Sequence, residues 1–553
     1  MGVLLGVDFG TLSARAVLVS AKDGEILGES SFSYPHGVLD RELPGGIALP
    51  ADWALQHPND YLLALRGAIA GALKAARLTP RNVVGLGIDF TSCTAVAADG
   101  EGVPLCLKAE LQNRPHAYPK LWKHHAAQPQ ADRMTALARE RGEPWLPLYG
   151  GRISSECLLP KALQVLEEDP EVYAAAELFI EAGDWMTFLL TGELGRNACM
   201  AGYRALWDGA YPSPEFFGAL NPGFEGIEGK LQGAVLPLGS QAGQIGARGA
   251  AISGLLPGTP VAAAVLDAHA GMAAAGIAQT GKLLLVMGTS TCHLVLGDAQ
   301  RAVPGICGAV KDGMIPGFYG FEAGQSCVGD AFSWFLQNCL PGELQREAEG
   351  RQISPHALLR ERALGLLPGE SGLLALDWWN GSRTPLIDGD LSGVLFGLSL
   401  RTRPEEIYRA LIEGSAFGTR KIIENYRENG VAVSELIASG GIAHKDPMMM
   451  QIYADVCGLP LRVAQTRQGG ALGAALFAAV ASGEHGDLFA AMKAMVKPPT
   501  AEYRPVSRNH KLYGKLYAQY LRLHDLFGRG EDGAVKALRA ISREAAALSK
   551  IRE

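Results

Sequence analysis

The apolar positions of the chain fall first into strand-like runs. Val3 to Asp8 is one such run, Gly10-Thr11 interrupts it, and Arg15 to Ser20 resumes it. This pattern predicts strand, tight turn, strand, with Asp23-Gly24 turning the chain into a third strand from Glu25 to Phe32. A cousin follows at Val83, VVGLGIDFTSCTAVAADG, where Gly87-Ile88-Asp89-Phe90 repeats Gly6-Val7-Asp8-Phe9. A third copy lies at Lys282, KLLLVMGTSTCHLVLG, whose first strand ends in Gly288-Thr289-Ser290-Thr291. Three strand–turn–strand units, one of them opening the second half, predict an internal duplication in an α/β chain. The repeat is too sparse for a solenoid.

Helical periodicity fills the intervals. Pro58 to Ala76 carries apolar residues at helical spacing. Thr402-Arg403-Pro404-Glu405 reads as a capping box for a helix that Gly430 can close. A strand from Glu435 to Ala438 leads into Ser439-Gly440-Gly441, and Asp446-Pro447 starts a helix that stops near Gly458. The strand Leu459 to Val463 and an Ala/Gly-rich, close-packing helix from Gly469 to Ser482 follow. Gly and Pro cluster between Gly254 and Pro260, which predicts domains at 1–256 and 257–505 and a helical tail at 506–553.

Composition narrows the class. A chain of 553 residues is too long for a single core. Its formal net charge of -7 argues against a duplex-binding protein. The nine cysteines are scattered singly, as expected of reduced thiols in a cytoplasmic protein. The N-terminus has no basic n-region, and its apolar run is cut by Asp8. The most apolar window, Val261 to Ala278, contains Asp267 and His269, so no membrane span is expected.

The turns carry the chemistry. Gly10 lets the backbone approach a ligand, Thr11 and Ser13 add hydroxyls, and Arg15 adds positive charge. Asp8 would repel a bare phosphate but suits one escorted by Mg²⁺, which prefers carboxylate and water oxygens. An ordinary hairpin with a turn Asp is the competing reading. Gly288 and Thr289 offer a second such turn, so two halves could grip a polyphosphate from opposite sides. Gly440 and Gly441 offer a platform for a nucleobase. Neither a P-loop nor a Rossmann glycine motif is present. Asp267, buried in an apolar run, either caps the helix that follows or serves as a base. His269 reads as a structural histidine, and the pair His124-His125 lacks the spacing of a zinc site.

DFGTLSAR, MGTST and SGGIAHKDPMMMQIYADVCGLPL resemble the two phosphate motifs and the adenosine motif of the actin/hexokinase/Hsp70 ATPase superfamily. Along nearly its whole length, tail excepted, the chain is similar to sugar kinases of the FGGY family. The resemblance implies two actin-like (RNase H-like) domains flanking an ATP/sugar cleft, with ATP and Mg²⁺ as cofactors and Asp267 as the catalytic base. RISSECLLPKALQVLEED keeps Ser155 and Lys161, but Gln164 stands where many members carry tryptophan.

NRPHAYPKLWKHHAAQ, GIDFTSCT, NACMAGYRALW and GFEAGQSCVGD resemble the ribulokinase branch. That implies phosphorylation of L-ribulose to L-ribulose 5-phosphate in arabinose breakdown. The pentulose would lie near Ser92, with Arg204, Asp267 and Glu322 on its hydroxyls and Gln325 orienting Glu322. Arg204 stands where the branch generally has lysine. The rival readings are another FGGY kinase, acting on xylulose, a pentitol or glycerol, and an Hsp70- or actin-like ATPase switch. The expected partners are a small sugar and ATP, with neither nucleic acid nor membrane, and a homodimer is carried as an expectation.

Overall fold

The computed structural model describes residues 2–530 and 533–550. Its frame is two seven-stranded sheets. In the first, β1 (Val3–Phe9), β2 (Ser13–Ser20) and β3 (Ile26–Ser33) form an antiparallel meander, and β4 (Val83–Phe90) runs parallel to β1. Pro260–Ala262 and Val265–Leu266 both pair in parallel with β4, and Gln241–Gln244 forms the edge. Pairing in the first sheet therefore runs on to Leu266, past the 254–260 segment where glycine and proline cluster.

The second sheet repeats the plan. Gly281–Met287, Thr291–Gly297 and Tyr319–Gln325 are antiparallel neighbours. Val433–Ser439 runs parallel to the first of these, and Leu461–Val463 runs parallel to Val433–Ser439. Gly308–Lys311 and Ala501–Tyr503 extend the two edges. With the edge strand Gly308–Lys311 set aside as an insertion, both sheets share the order third, second, first, fourth, fifth, and the duplication expected from the sequence is present in the fold.

The unit at Val83 is a correction. Its strand is β4, which lies in register beside β1, and its second strand Ala95–Ala98 pairs instead with Leu178–Glu181. Every β4 residue but Val84 is buried, as befits a parallel strand covered on both faces. The chain cannot fold back on β4, because β1 already occupies one side and residues 260–266 the other.

The Ala/Gly-rich helix Gly469–Ala481 finds its close-packing partner in this sheet. A Cβ at Gly6 would stand 1.8 Å from the Ala471 carbonyl oxygen, and one at Gly87 would stand 1.9 Å from that of Ala474. Only glycine lets backbone meet backbone at such distances. The helix Pro404–Glu428 starts one residue later than its expected box: Glu406 accepts from the Arg403 N–H at 2.6 Å, while Thr402 accepts from Ser399. The tail is helical at Ser507–Gly528 and Ala534–Lys550, and Tyr513 and Tyr520 donate to Glu413 and Asp377 at 2.8 and 2.9 Å. All nine cysteines are free thiols. Among the described residues no helix is long and apolar enough to cross a membrane.

Candidate active site

The tips of the two sheets face one another across a cavity of ≈ 370 Å³. Asp8, Thr11, Arg15, Ser92, Arg204, Asp267, Gly288, Thr289, Glu322, Gly440 and Gly441 all line it. Gly10 and Ser13 do not; they close the first turn through the Gly10 N–H, which donates to the Ser13 carbonyl at 3.0 Å.

The first hairpin is held from several sides. Asp8 stands opposite Arg15 in the β1–β2 register, 3.6 Å from its guanidinium. Gln56 donates to the Thr11 carbonyl at 2.8 Å and accepts from Tyr61 at 2.6 Å. The Trp122 indole donates to the Thr11 hydroxyl at 3.2 Å. The second turn rests on the helix Gly329–Asn338: the N–H groups of Gly329 and Val328 donate to the Gly288 and Thr289 carbonyls. Gly440 has φ +95, and a Cβ there would come within 2.4 Å of the Met287 carbonyl oxygen. The third platform therefore lies flush against the strand that carries the second turn.

On the other wall Arg204 and Glu322 meet at 2.7 Å, both buried. Arg204 lies in the last turn of the helix Ala198–Ala205, and its neighbour Tyr203 donates to the Gly320 carbonyl at 2.6 Å, pinning that helix to the strand of Glu322. Burial alone would raise the Glu322 carboxyl, but the Arg204 guanidinium, with His269 behind it, holds it below the usual carboxylate range. His269 Nε2 lies 3.4 Å from Glu322, a close approach without hydrogen-bond alignment, and its Nδ1 meets the Cys199 thiol at 3.1 Å. Ser92 Oγ, Arg204 Nε and Glu322 Oε2 are buried without hydrogen-bond partners. That leaves unused donor and acceptor capacity on three residues that line the cavity.

Asp267 is the first residue of the helix Asp267–Ala274 and accepts from the Ala268 N–H at 2.7 Å; no side-chain cap forms at this helix start. Its half-buried side chain opens to the cavity. Burial, with the charge of Asp8 added, raises its carboxyl to about 7. A carboxylate so poised can take a proton near neutral pH.

Gln325 does not orient Glu322. Side chains three apart on a strand point to opposite faces, and Gln325 donates to Asp377 at 2.6 Å and to the Ser415 carbonyl at 2.9 Å. The distinctive histidines are structural. His124 is buried and meets the Gln164 carbonyl oxygen at 2.9 Å, so Gln164 gives a polar ring the partner that an apolar residue would deny it. Lys161 donates to the carbonyls of Cys93 and Leu121, tying the Ser92 turn to the Trp122 segment.

Several residues lining the cavity or buried beside it escaped the sequence reading. Glu156 and Arg383 form an ion pair at 2.7 Å although 227 residues separate them, and no local pattern announces such a pair. Arg467 also lines the cavity, and a cation just before Gly469-Gly470 was a signal available to be read. Asp89 sits fully buried beside Asp8, where burial and the Asp8 charge push its carboxyl well up. The repeat of Gly-Val-Asp-Phe as Gly-Ile-Asp-Phe had drawn attention to Asp89 as a repeat, without suggesting that the two carboxylates meet.

Comparison with known proteins agrees with this architecture. The N-terminal domain of the FGGY family of carbohydrate kinases matches residues 3–274, and its C-terminal domain matches 283–482. The chain is 48% identical to the ribulokinase of Anoxybacillus flavithermus over 99% of this chain and 98% of that one. It is 50% identical to the ribulokinase of Mycolicibacterium smegmatis over 95% and 94%. In fold it resembles the xylulose kinase of Rhodospirillum rubrum (TM-score 0.77, 23% identity, 95% and 99% covered) and Plasmodium falciparum glycerol kinase with ADP (TM-score 0.74, 16% identity, 95% and 98% covered). The chain belongs to the FGGY family of carbohydrate kinases, ATP-dependent enzymes whose two α/β domains have the actin-like fold.

Proposed function

We propose that this kinase transfers the γ-phosphoryl group of ATP to L-ribulose, giving L-ribulose 5-phosphate, in the breakdown of L-arabinose. The observation that carries the reading is the Arg204–Glu322 pair together with a carboxylate raised to about 7, in the same cavity that the glycine turns line. The full-length likeness to ribulokinases supports the choice of sugar.

Arg204, Glu322 and Ser92 bind and orient the sugar hydroxyls, and Asp267 accepts the proton of the attacking hydroxyl. The backbone N–H groups of Thr11 and Thr289, which follow the turn glycines Gly10 and Gly288, receive phosphate oxygens, with Gly440 and Gly441 beneath the adenosine. Asp8, a hard oxygen donor at the cavity edge, is suited to hold Mg²⁺, which when bound neutralises charge on the phosphates. Glu156 and Arg383 help exclude water from the cavity floor.

A coupled ADP-release assay over a panel of pentuloses, pentitols and glycerol tests this. L-ribulose should give the highest kcat/KM. A preference for xylulose, a pentitol or glycerol would reassign the sugar within the family, and ATP hydrolysis without sugar phosphorylation would favour a switch.

A further inference from the structure

β1 and β4 run parallel with Asp8 opposite Asp89, so the two carboxylates leave the same face of the sheet on adjacent strands. The helix Gly469–Ala481 covers that face. A Cβ on Gly470 would lie 3.0 and 3.2 Å from the two Asp89 oxygens and 3.1 Å from the Asp8 carboxyl carbon. The absent side chain at 470 therefore makes room directly over the pair.

Asp8 has Arg15 nearby. Asp89 is 0% exposed, and neither of its oxygens receives a hydrogen bond. Were it a structural residue, it would accept from the N–H groups at the start of the covering helix, as buried carboxylates at helix N-termini do. It accepts none. Its polar neighbour is the Asp8 carboxyl, close enough for the two to share a hydrogen bond, and two facing carboxyls are reconciled by a shared proton or by a cation between them.

We propose that Asp89 is the second carboxylate of the metal site, sharing with Asp8 the divalent cation that accompanies ATP. Asp8 meets the ion from the cleft and Asp89 from the sheet beneath, and Gly470 keeps the approach open. Magnesium is commonly held by one or two carboxylates together with phosphate oxygens, so the donor set is of the right kind. The inference rests on the reading of Asp8 as a metal residue and adds a partner to it.

The test is calorimetric titration of the full-length protein with Mn²⁺ alone, for wild type, Asp8→Ala and Asp89→Asn, together with melting of the metal-free proteins. Both variants should bind Mn²⁺ roughly tenfold or more weakly. Metal-free Asp89→Asn should melt no lower than wild type, since the amide keeps the size of the side chain and a donor toward Asp8. An Asp89→Asn affinity within about twofold of wild type, or no Mn²⁺ binding by wild type, overturns the proposal. Loss in Asp8→Ala alone would leave Asp8 as the metal residue and remove Asp89; no loss in either would remove both. Should Asp89→Asn fail to fold, Gly470→Ala places a methyl over the pair, and unchanged Mn²⁺ affinity in that variant overturns the proposal equally.

Discussion

At the cleft ends of the two sheets, one pair of parallel strands presents Asp8 opposite Asp89, and its counterpart presents Val286 opposite Ser439. Asp8 and Val286 each stand two residues before a turn glycine, on central strands of matching order. The backbone was duplicated and the charge was not. Two carboxylates at one tip invite a cation, whereas a valine and a serine at the other leave the turn's N–H groups to meet an anion without opposition. Under the proposed roles, division of labour across the cleft would follow from two side chains per tip.

The most damaging way to break this asymmetry is at Asp267, which follows the short strand Val265–Leu266 paired with β4. Asp267→Asn should lower kcat roughly a hundredfold or more with nucleotide affinity little changed; near wild-type turnover would remove the base. The same residue sets a pH dependence. A carboxyl raised to about 7 acts as a base only when deprotonated, so kcat/KM should fall about tenfold per pH unit below 7 and level off above it. A flat profile between pH 5 and 8 would contradict the assignment.

Next comes the comparison itself. Asp8→Ala should lower kcat roughly 10–100-fold and raise the Mg²⁺ requirement. Val286→Ala at the matching position should leave the Mg²⁺ requirement unchanged. Equal Mg²⁺ dependence of the two variants would erase the proposed division. Arg204→Ala should raise KM for the sugar by about 1–3 kcal/mol while KM for ATP barely moves, because it leaves Glu322 buried without its donor. Arg204→Lys should stay active, with altered discrimination between pentuloses and pentitols. Impairment toward ATP alone would place the cation at the nucleotide. The smallest effect belongs to Trp122→Phe, which removes one bond to the Thr11 hydroxyl and should raise KM for ATP by less than ~1 kcal/mol. A loss as large as that of Asp8→Ala would give Trp122 a role beyond positioning the turn.

The sequence made the hairpins, the duplication and the Asp446 helix start legible, because each depends on local spacing and turn chemistry. Asp446 does accept from the Met449 N–H at 3.0 Å, and Gly458 closes that helix with φ +66. The unit at Val83 was misread because a parallel strand and the first strand of a hairpin share one apolar signature; only the pairing partner distinguishes them. Glu156 with Arg383, and Asp8 with Asp89, are meetings of residues far apart in the chain, which no window of sequence contains. The contacts of the tail were illegible for a related reason. Its tyrosines serve residues elsewhere, with Tyr520 holding Asp377, which in turn holds Gln325 on the strand of Glu322.

The helix Gly469–Ala481 also sets a clock on biosynthesis. It lies against Gly6 and Gly87, so the opening strands, first out of the ribosome, lack their covering layer until residue 481 has been polymerised. The early half must wait in an unfinished state, with Asp89, fully buried in the finished fold, on the face that this helix will cover. Cutting the gene between the halves would yield a first fragment that lacks this covering layer, and its dependence on the second half is written into two glycines.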